Sequence, residues 1–141
     1  QKSDFILTPE ISSLFSLNKK QLLKICKSMK EDIYLNGIKK LAKKYKKWIL
    51  IGSLITKITK NKLVNRSVLI DKKGKIKTYY DKIHMYDVIL SKKEKYFESK
   101  IFCSGKKIKF FGSFGSIETV ITSSDFFNSF NIFPSGEIIM E

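Results

Sequence analysis

The sequence is poor in cysteine and proline and has no long apolar run. Its 141 residues include two prolines and two cysteines. Cys26 and Cys103 are too few for a disulfide scaffold and lack the spacing of metal ligands, so we expect no metal site. The longest apolar runs, residues 48–51 and 68–70, are far shorter than a membrane helix. Because no secretory leader opens the chain, we expect a cytoplasmic domain with no membrane partner.

Arginine is almost absent, although the chain is strongly basic. Lysine and arginine together number 28 against 13 acidic residues, a formal charge of +15, but only Arg66 is an arginine. Arginine is the better side chain for bidentate contacts with phosphate or guanine. The lysines are also spread along the whole chain. A dispersed lysine charge favours a solvated surface over a nucleic-acid interface.

The apolar residues that are present are enough for one folded domain, since 43% of the chain is hydrophobic and 13% aromatic. Leu22, Ile25, Cys26 and Met29 have the spacing of one face of a short helix. A longer apolar stripe predicts the main helix, and apolar runs separated by turn residues predict strands. The main helix is predicted over residues 34–46, and the strands over 4–8, 48–58, 64–70, 76–80, 108–111 and 116–121.

The order of these elements predicts the fold class. A strand, then helices, then a meander of strands indicates an α/β fold with a mixed, mostly antiparallel sheet and helices on one face. The segment from Asp71 to Gly74 predicts a hairpin turn between two strands of the meander. No linker or repeat divides the chain, so we expect a single domain.

Three segments carry a more specific pattern. Residues 4–15 read DFILTPEISSLF, residues 65–88 read NRSVLIDKKGKIKTYYDKIHMYDV, and residues 97–106 read FESKIFCSGK. Their order and spacing resemble the nitrilase, or carbon–nitrogen hydrolase, superfamily, and within it the deaminated glutathione amidase branch. The resemblance implies a fragment of an α-β-β-α sandwich that acts as a hydrolase on a small-molecule amide, with no cofactor and with a homodimer as its assembly.

The resemblance also assigns roles to residues. Glu10, after the strand-ending proline, corresponds to the general base that takes the thiol proton of a cysteine nucleophile. Lys82 corresponds to the donor that stabilises the oxyanion of each tetrahedral intermediate, and Glu98 to a supporting glutamate. His84, the single histidine, occupies a supporting position beside the lysine. A base next to an ammonium would need burial to raise its pKa.

The cysteine nucleophile of the family is missing from its expected place near Thr122. Cys103 lies too early in the chain to replace it, and a threonine hydroxyl is not ionised near neutral pH. We also considered the codons formed by the third base of each residue and the first two bases of the next, starting at Ser124. The residues that these shifted codons can encode resemble the helix that follows the nucleophile in the family. We therefore expect a frameshift between residues 118 and 124 and an out-of-frame tail over 118–141.

The family domain begins with a further strand and helix that this sequence does not contain, and the chain opens on Gln1 rather than Met. The resemblance therefore implies that residues 1–141 form a single partial domain. The sequence alone is compatible with three functions. They are a carbon–nitrogen hydrolase by descent that is inactive as written, a non-catalytic binding or assembly module with the same fold, and a basic nucleic-acid-binding domain.

Overall fold

The computed structural model describes residues 3–92 and 94–107, together with the backbone of four strands in residues 109–140. The described elements comprise ten strands, two α-helices and a 3₁₀ turn over Glu98–Lys100. In chain order they are β1 (Phe5–Leu7), α1 (Lys19–Ile25), α2 (Ile33–Tyr45), β2 (Trp48–Thr59), β3 (Lys62–Ile70), β4 (Ile76–Asp81), β5 (Asp87–Ile89), β6 (Lys95–Phe97), β7 (Lys109–Phe114), β8 (Ile117–Ile121), β9 (Phe130–Ile132) and β10 (Ile138–Met140).

The main sheet has four strands in the order β1-β2-β3-β4. Strand β1 pairs parallel with β2, and β2, β3 and β4 pair antiparallel. The predicted mixed, mostly antiparallel α/β sheet is therefore confirmed. The hairpin between β3 and β4 turns at Gly74, whose φ of 75° suits glycine. Three further antiparallel pairs are β5 with β6, β7 with β8 and β9 with β10.

Both helices begin at a capping side chain. Asn18 Oδ1 accepts a hydrogen bond from the Gln21 backbone at the start of α1, and Asp32 Oδ1 accepts one from Leu35 N at 2.7 Å at the start of α2. The short helix is shorter than its apolar spacing suggested. It ends at Ile25, and the backbone of Cys26 is already extended.

The sheet has an apolar layer on each face. One face packs against α2 through a cluster of Leu35, Ala42, Ile49, Ile51, Leu54, Val68 and Ile70. On β3 the residues alternate strictly, so Leu63, Asn65, Ser67 and Leu69 point away from α2. Leu63 packs there with Leu22, Cys26, Ile55 and Phe102. No helix in the described part of the chain is long and apolar enough to cross a membrane.

A bulge in β2 sets the register of this core. Ile51 pairs with Val68 and Leu54 with Arg66, so β2 carries one residue more than β3 between these pairs. Gly52 and Ser53 together stand opposite the single residue Ser67. This bulge keeps Leu54 on the same face as Ile51. Strand β2 can therefore stay apolar toward α2 on both sides of the bulge.

Candidate active site

The bulge in β2 holds the turn that carries Glu10. Ser53 Oγ accepts a hydrogen bond from Ile11 N at 2.8 Å, and Ser53 O accepts one from Ser12 N at 2.9 Å. Thr8 N donates to Leu50 O at 3.0 Å just before the turn. Ile11 has a φ of 49°, a left-handed conformation that is costly for a β-branched residue. The hydrogen bonds to Ser53 compensate for this strain and fix the backbone directly after Glu10.

Lys82 follows the last residue of β4. Its backbone N–H donates to Asn65 O at 2.9 Å, so the lysine continues the pairing of β4 with β3. Its carbonyl accepts a hydrogen bond from Gly105 N at 2.8 Å. Both bonds fix the backbone of Lys82, so its side chain starts from a defined position beside the sheet.

Glu98 begins the 3₁₀ turn after β6 and is bonded to the chain segment that precedes β5. Its Oε2 accepts a hydrogen bond from Tyr86 N at 2.7 Å, and its own N–H donates to Tyr86 O at 3.3 Å. Its carbonyl accepts from Ile101 N and Phe102 N at 2.9 and 3.0 Å. Glu98 therefore has a fixed backbone and one fixed carboxylate oxygen.

These three elements bring the two glutamates and the lysine together. Lys82 Nζ lies 3.1 Å from Glu10 Oε1, 3.0 Å from Glu98 Oε2 and 3.3 Å from Glu98 Oε1. Glu10 and Lys82 are 72 residues apart in the sequence. Glu10 and Lys82, to which the resemblance assigns roles in one reaction, are therefore in contact, and Glu98 lies in the same cluster.

The environment of the three side chains is uneven. Lys82 is 16% exposed and Glu98 11%, whereas Glu10 is 57% exposed. The burial expected for a base beside an ammonium is therefore not present at Glu10. Burial has the largest single effect on the pKa of Lys82 and lowers it, but the hydrogen bonds and charges of Glu98 and Glu10 together raise that pKa above 10.5. Lys82 is therefore a cation at neutral pH.

Asn65 is a fourth member of the cluster, although no role was predicted for it from the sequence. Its Nδ2 donates to Glu10 Oε1 at 2.8 Å and to Glu98 Oε1 at 3.4 Å. The residue is 1% exposed and lies within β3, opposite Ile55. The signal available in the sequence was an asparagine inside an apolar strand, because buried polar side chains need hydrogen-bond partners.

A cavity of about 560 Å³ opens beside this cluster. Such a volume is in the range of small-molecule sites. Its wall contains Glu10, Lys82 and Glu98 together with mostly apolar side chains, namely Ile11, Phe15, Ser16, Leu17, Tyr86, Leu90, Tyr96, Phe97, Ile101 and Phe102.

The histidine and the two cysteines discussed from the sequence lie outside the cavity. His84 is exposed and does not line the cavity, and neither Cys26 nor Cys103 does. Cys103 N donates to Leu63 O at 2.8 Å, next to the isolated bridge between Leu63 and Phe102. The expected nucleophile position, Thr122, lies outside the described residues.

Comparison with known proteins places this geometry in a family. The deaminated glutathione amidase of Yersinia enterocolitica is 31% identical over 85 residues, which are 59% of this chain and 29% of that protein. The structure of the NitFhit protein of C. elegans matches with a TM-score of 0.64 and 26% identity, over 75% of this chain and 26% of that one. The chain thus spans between a quarter and a third of the length of these two relatives.

A further match concerns the fold alone. The NitN amidase from Neterenkonia sp. AN1 superimposes with a TM-score of 0.62 at 17% identity, over 82% of this chain and 42% of that one. The model of the carbon-nitrogen hydrolase family matches residues 1–127, a range that contains Glu10, Asn65, Lys82 and Glu98. With the family's motifs gathered around one cavity, the chain belongs to the carbon-nitrogen hydrolase family.

Proposed function

We propose that residues 3–107 carry the acid–base and oxyanion-stabilising part of an amidase site that hydrolyses a small amide to a carboxylic acid and either ammonia or an amine. The observation that carries this proposal is the contact of Lys82 Nζ with both Glu10 and Glu98 at the edge of a cavity. A base and a cationic donor within 3.1 Å of each other can both reach one carbonyl group.

Glu10 suits the role of general base. Its contacts with Lys82 and Asn65 both involve Oε1, and no described residue donates to Oε2. That oxygen is available to take the proton of a thiol, pass it to the leaving ammonia or amine and then activate water. The exposure of Glu10 lets the carboxylate reach a molecule in the cavity.

Lys82 suits the role of oxyanion donor. An ammonium group has three N–H donors, and two carboxylate groups contact it. When the two oxygens of Glu98 share one donor, one N–H stays available for the oxyanion of a tetrahedral intermediate. Glu98, held by Tyr86 N, keeps the ammonium on the cavity side of the sheet.

Covalent catalysis also needs a nucleophile, and the resemblance places the family's cysteine near Thr122, where this sequence has no cysteine. We propose that the chain as written therefore gives no measurable turnover, and that a frameshift between residues 118 and 124 replaced the nucleophile segment. Turnover is measured as the release of ammonia or amine from a panel of primary and substituted amides. The frameshift is tested by sequencing the gene and its transcript over these codons, since an in-frame cysteine in the transcript would contradict it.

The roles of Glu10 and Lys82 are tested in an enzyme that has a nucleophile. Residues 4–107 of this chain replace the matching segment of the Yersinia enterocolitica amidase, and the release of free amine from deaminated glutathione is measured. We expect an active chimaera in which Glu10→Gln lowers kcat about 10²–10⁴-fold. Lys82→Met should lower it about 10²–10³-fold.

The control variant in this chimaera is Lys72→Met, because Lys72 contacts the exposed Asp4 and does not line the cavity. It should retain full activity. A folded chimaera that is inactive, or one that is unaffected by Glu10→Gln, contradicts the proposed function. Homodimerisation and a cytoplasmic location belong to the same proposal, and sedimentation of the chain and fractionation of the cells that express it test them.

A further inference from the structure

Asn65 and Lys82 donate to the same two oxygen atoms. Asn65 Nδ2 lies 2.8 Å from Glu10 Oε1 and 3.4 Å from Glu98 Oε1, and Lys82 Nζ lies 3.1 and 3.3 Å from the same atoms. Two donors and two acceptors thus alternate in a closed ring. One donor is a cation on a flexible side chain, and the other is a neutral amide on a buried strand.

The backbone of Asn65 strengthens this arrangement. Its carbonyl accepts the hydrogen bond from Lys82 N at 2.9 Å, and the residue pairs with Ile55 in the middle of the sheet. A single residue therefore fixes the start of the Lys82 side chain and contacts both carboxylates. With 1% exposure, Asn65 has little freedom to move when the contents of the cavity change.

The orientation of the Asn65 amide has a cost. Its NH₂ group must face the carboxylates, because an amide oxygen there would repel them. As a result Oδ1 is buried and accepts no hydrogen bond from the described part of the chain. An unpaired buried oxygen lowers stability. A residue that served only to stabilise β3 would be better replaced by an apolar side chain, so the cost points to a role at the site.

We propose that Asn65 is a positioning residue that holds Glu10 and Glu98 in place when the available N–H of Lys82 donates to the substrate oxyanion. This inference rests on the proposed function. As Lys82 donates to an oxyanion, its bonds to the two glutamates weaken, and the carboxylates would separate. The neutral Asn65 donor maintains their positions without adding a second positive charge, which would make Glu10 a weaker base.

The positioning role is tested on the full chain by NMR, without turnover. Asn65→Leu removes the shared donor at similar volume, and the titration of the Lys82 side chain is followed with ¹³C-labelled lysine. We expect the pKa of Lys82 to fall toward 10.5, because the exposed Glu10 moves away and its hydrogen bond to the ammonium is lost. An unchanged or higher Lys82 pKa would overturn the proposal.

The matched control is Thr56→Val. Thr56 is fully buried in β2 and donates to Lys27 O at 3.1 Å, so this variant also loses one buried hydrogen bond, but it leaves the glutamates untouched. It should destabilise the chain while the Lys82 titration stays as in the wild type. A shift of the Lys82 titration in Thr56→Val equal to that in Asn65→Leu would mean a general structural effect and would overturn the positioning role.

A measurement on the wild type covers the case in which Asn65→Leu does not fold. The side-chain NH₂ of Asn65 should exchange with solvent at least about tenfold more slowly than that of the exposed Asn18. Equal exchange would overturn the inference. An inactive chimaera combined with the expected NMR results would refute the proposed function and leave the contacts of Asn65 with Glu10 and Glu98 established.

Discussion

Gly52 lies so close to Thr8 that a methyl group added at its Cα would be 2.2 Å from the Thr8 carbonyl oxygen. The same methyl group would be 2.8 Å from the carbonyl of Pro9. These atoms are backbone and cannot rotate away. The glycine in the bulge of β2 therefore lets the turn that carries Glu10 lie directly on the sheet.

Gly52→Ala should push the Thr8–Pro9 backbone off β2 and displace Glu10. We expect a loss of roughly 1–3 kcal/mol in the free energy of unfolding, the usual cost of overpacking. Urea denaturation measures it. Gly37→Ala in α2 is the matched control, because nothing lies within 4 Å of its added methyl group. That variant should gain about 0.5–1 kcal/mol, and an equal effect of the two substitutions would contradict the close contact.

Lys82 should make stability depend on pH in the alkaline range. Its pKa is raised above 10.5 in the folded chain, although burial alone would lower it, because Glu98 and Glu10 bond to the ammonium. The resulting stabilisation is fully present below pH 10.5 and is lost as the pH rises through the raised pKa. The difference in unfolding free energy between the wild type and Lys82→Met should therefore be constant near pH 8 and shrink above 10.5.

The control for this titration is Lys40→Met on the exposed side of α2. The difference in unfolding free energy between the wild type and Lys40→Met should not change with pH in the range where the difference for Lys82→Met shrinks. Urea denaturation at several pH values between 8 and 12 gives both curves. A Lys82→Met difference that grows with pH would contradict the raised pKa.

Much of the main sheet and the main helix could be predicted because their signals are local. The apolar stripe of α2 and the Asp71–Gly74 turn lie within single elements, and the structure has α2 at Ile33–Tyr45 against the predicted 34–46. The hairpin β5–β6 was not predicted, because three-residue strands give too few positions for an alternating pattern. The bulge at Gly52 also has no local signal beyond the glycine itself.

The candidate site shows the same division between local and distant information. Glu10, Lys82 and Glu98 were named because each lies in a motif that resembles a family. The role of Asn65 depends on contacts with residues 55 and 33 positions away, which no local pattern contains. The exposure of Glu10 likewise depends on how its turn packs on β2, whereas the sequence predicted a buried carboxylate.

The two thiols should differ in reactivity. Cys26 is 6% exposed, and burial raises its pKa, with a further increase from the nearby Asp32. Cys103 is partly exposed. A thiol reagent reacts with the thiolate, so Cys103 should be modified at least about tenfold faster than Cys26 in the folded chain. Mass spectrometry of digested samples measures both rates, and in urea the rates should become similar. Faster modification of Cys26 would contradict its burial.

The single arginine occupies a position that lysine cannot fill. Arg66 Nε and Nη2 donate to the two oxygens of Asp81 at 2.5 and 2.8 Å, and its guanidinium lies 4.0 Å from the ring centre of Tyr79. Only a planar group with two parallel donors can make these contacts at once. Arg66→Lys should therefore lower the free energy of unfolding by roughly 1–3 kcal/mol, although it keeps the charge.

A double-mutant cycle with Asp81→Asn separates the paired contact from simple packing. Asp81→Asn removes the carboxylate that receives both donors but keeps the shape of the side chain. If the bidentate pair is the reason for the arginine, Arg66→Lys should cost much less in the Asp81→Asn background than in the wild type. Urea denaturation of the four proteins gives the coupling. Arg66 also contacts Tyr79 and Met29, whose sulfur lies 2.8 Å from Nη1. If Arg66→Lys lowers the free energy of unfolding equally in both backgrounds, the loss comes from these contacts and not from the pair with Asp81.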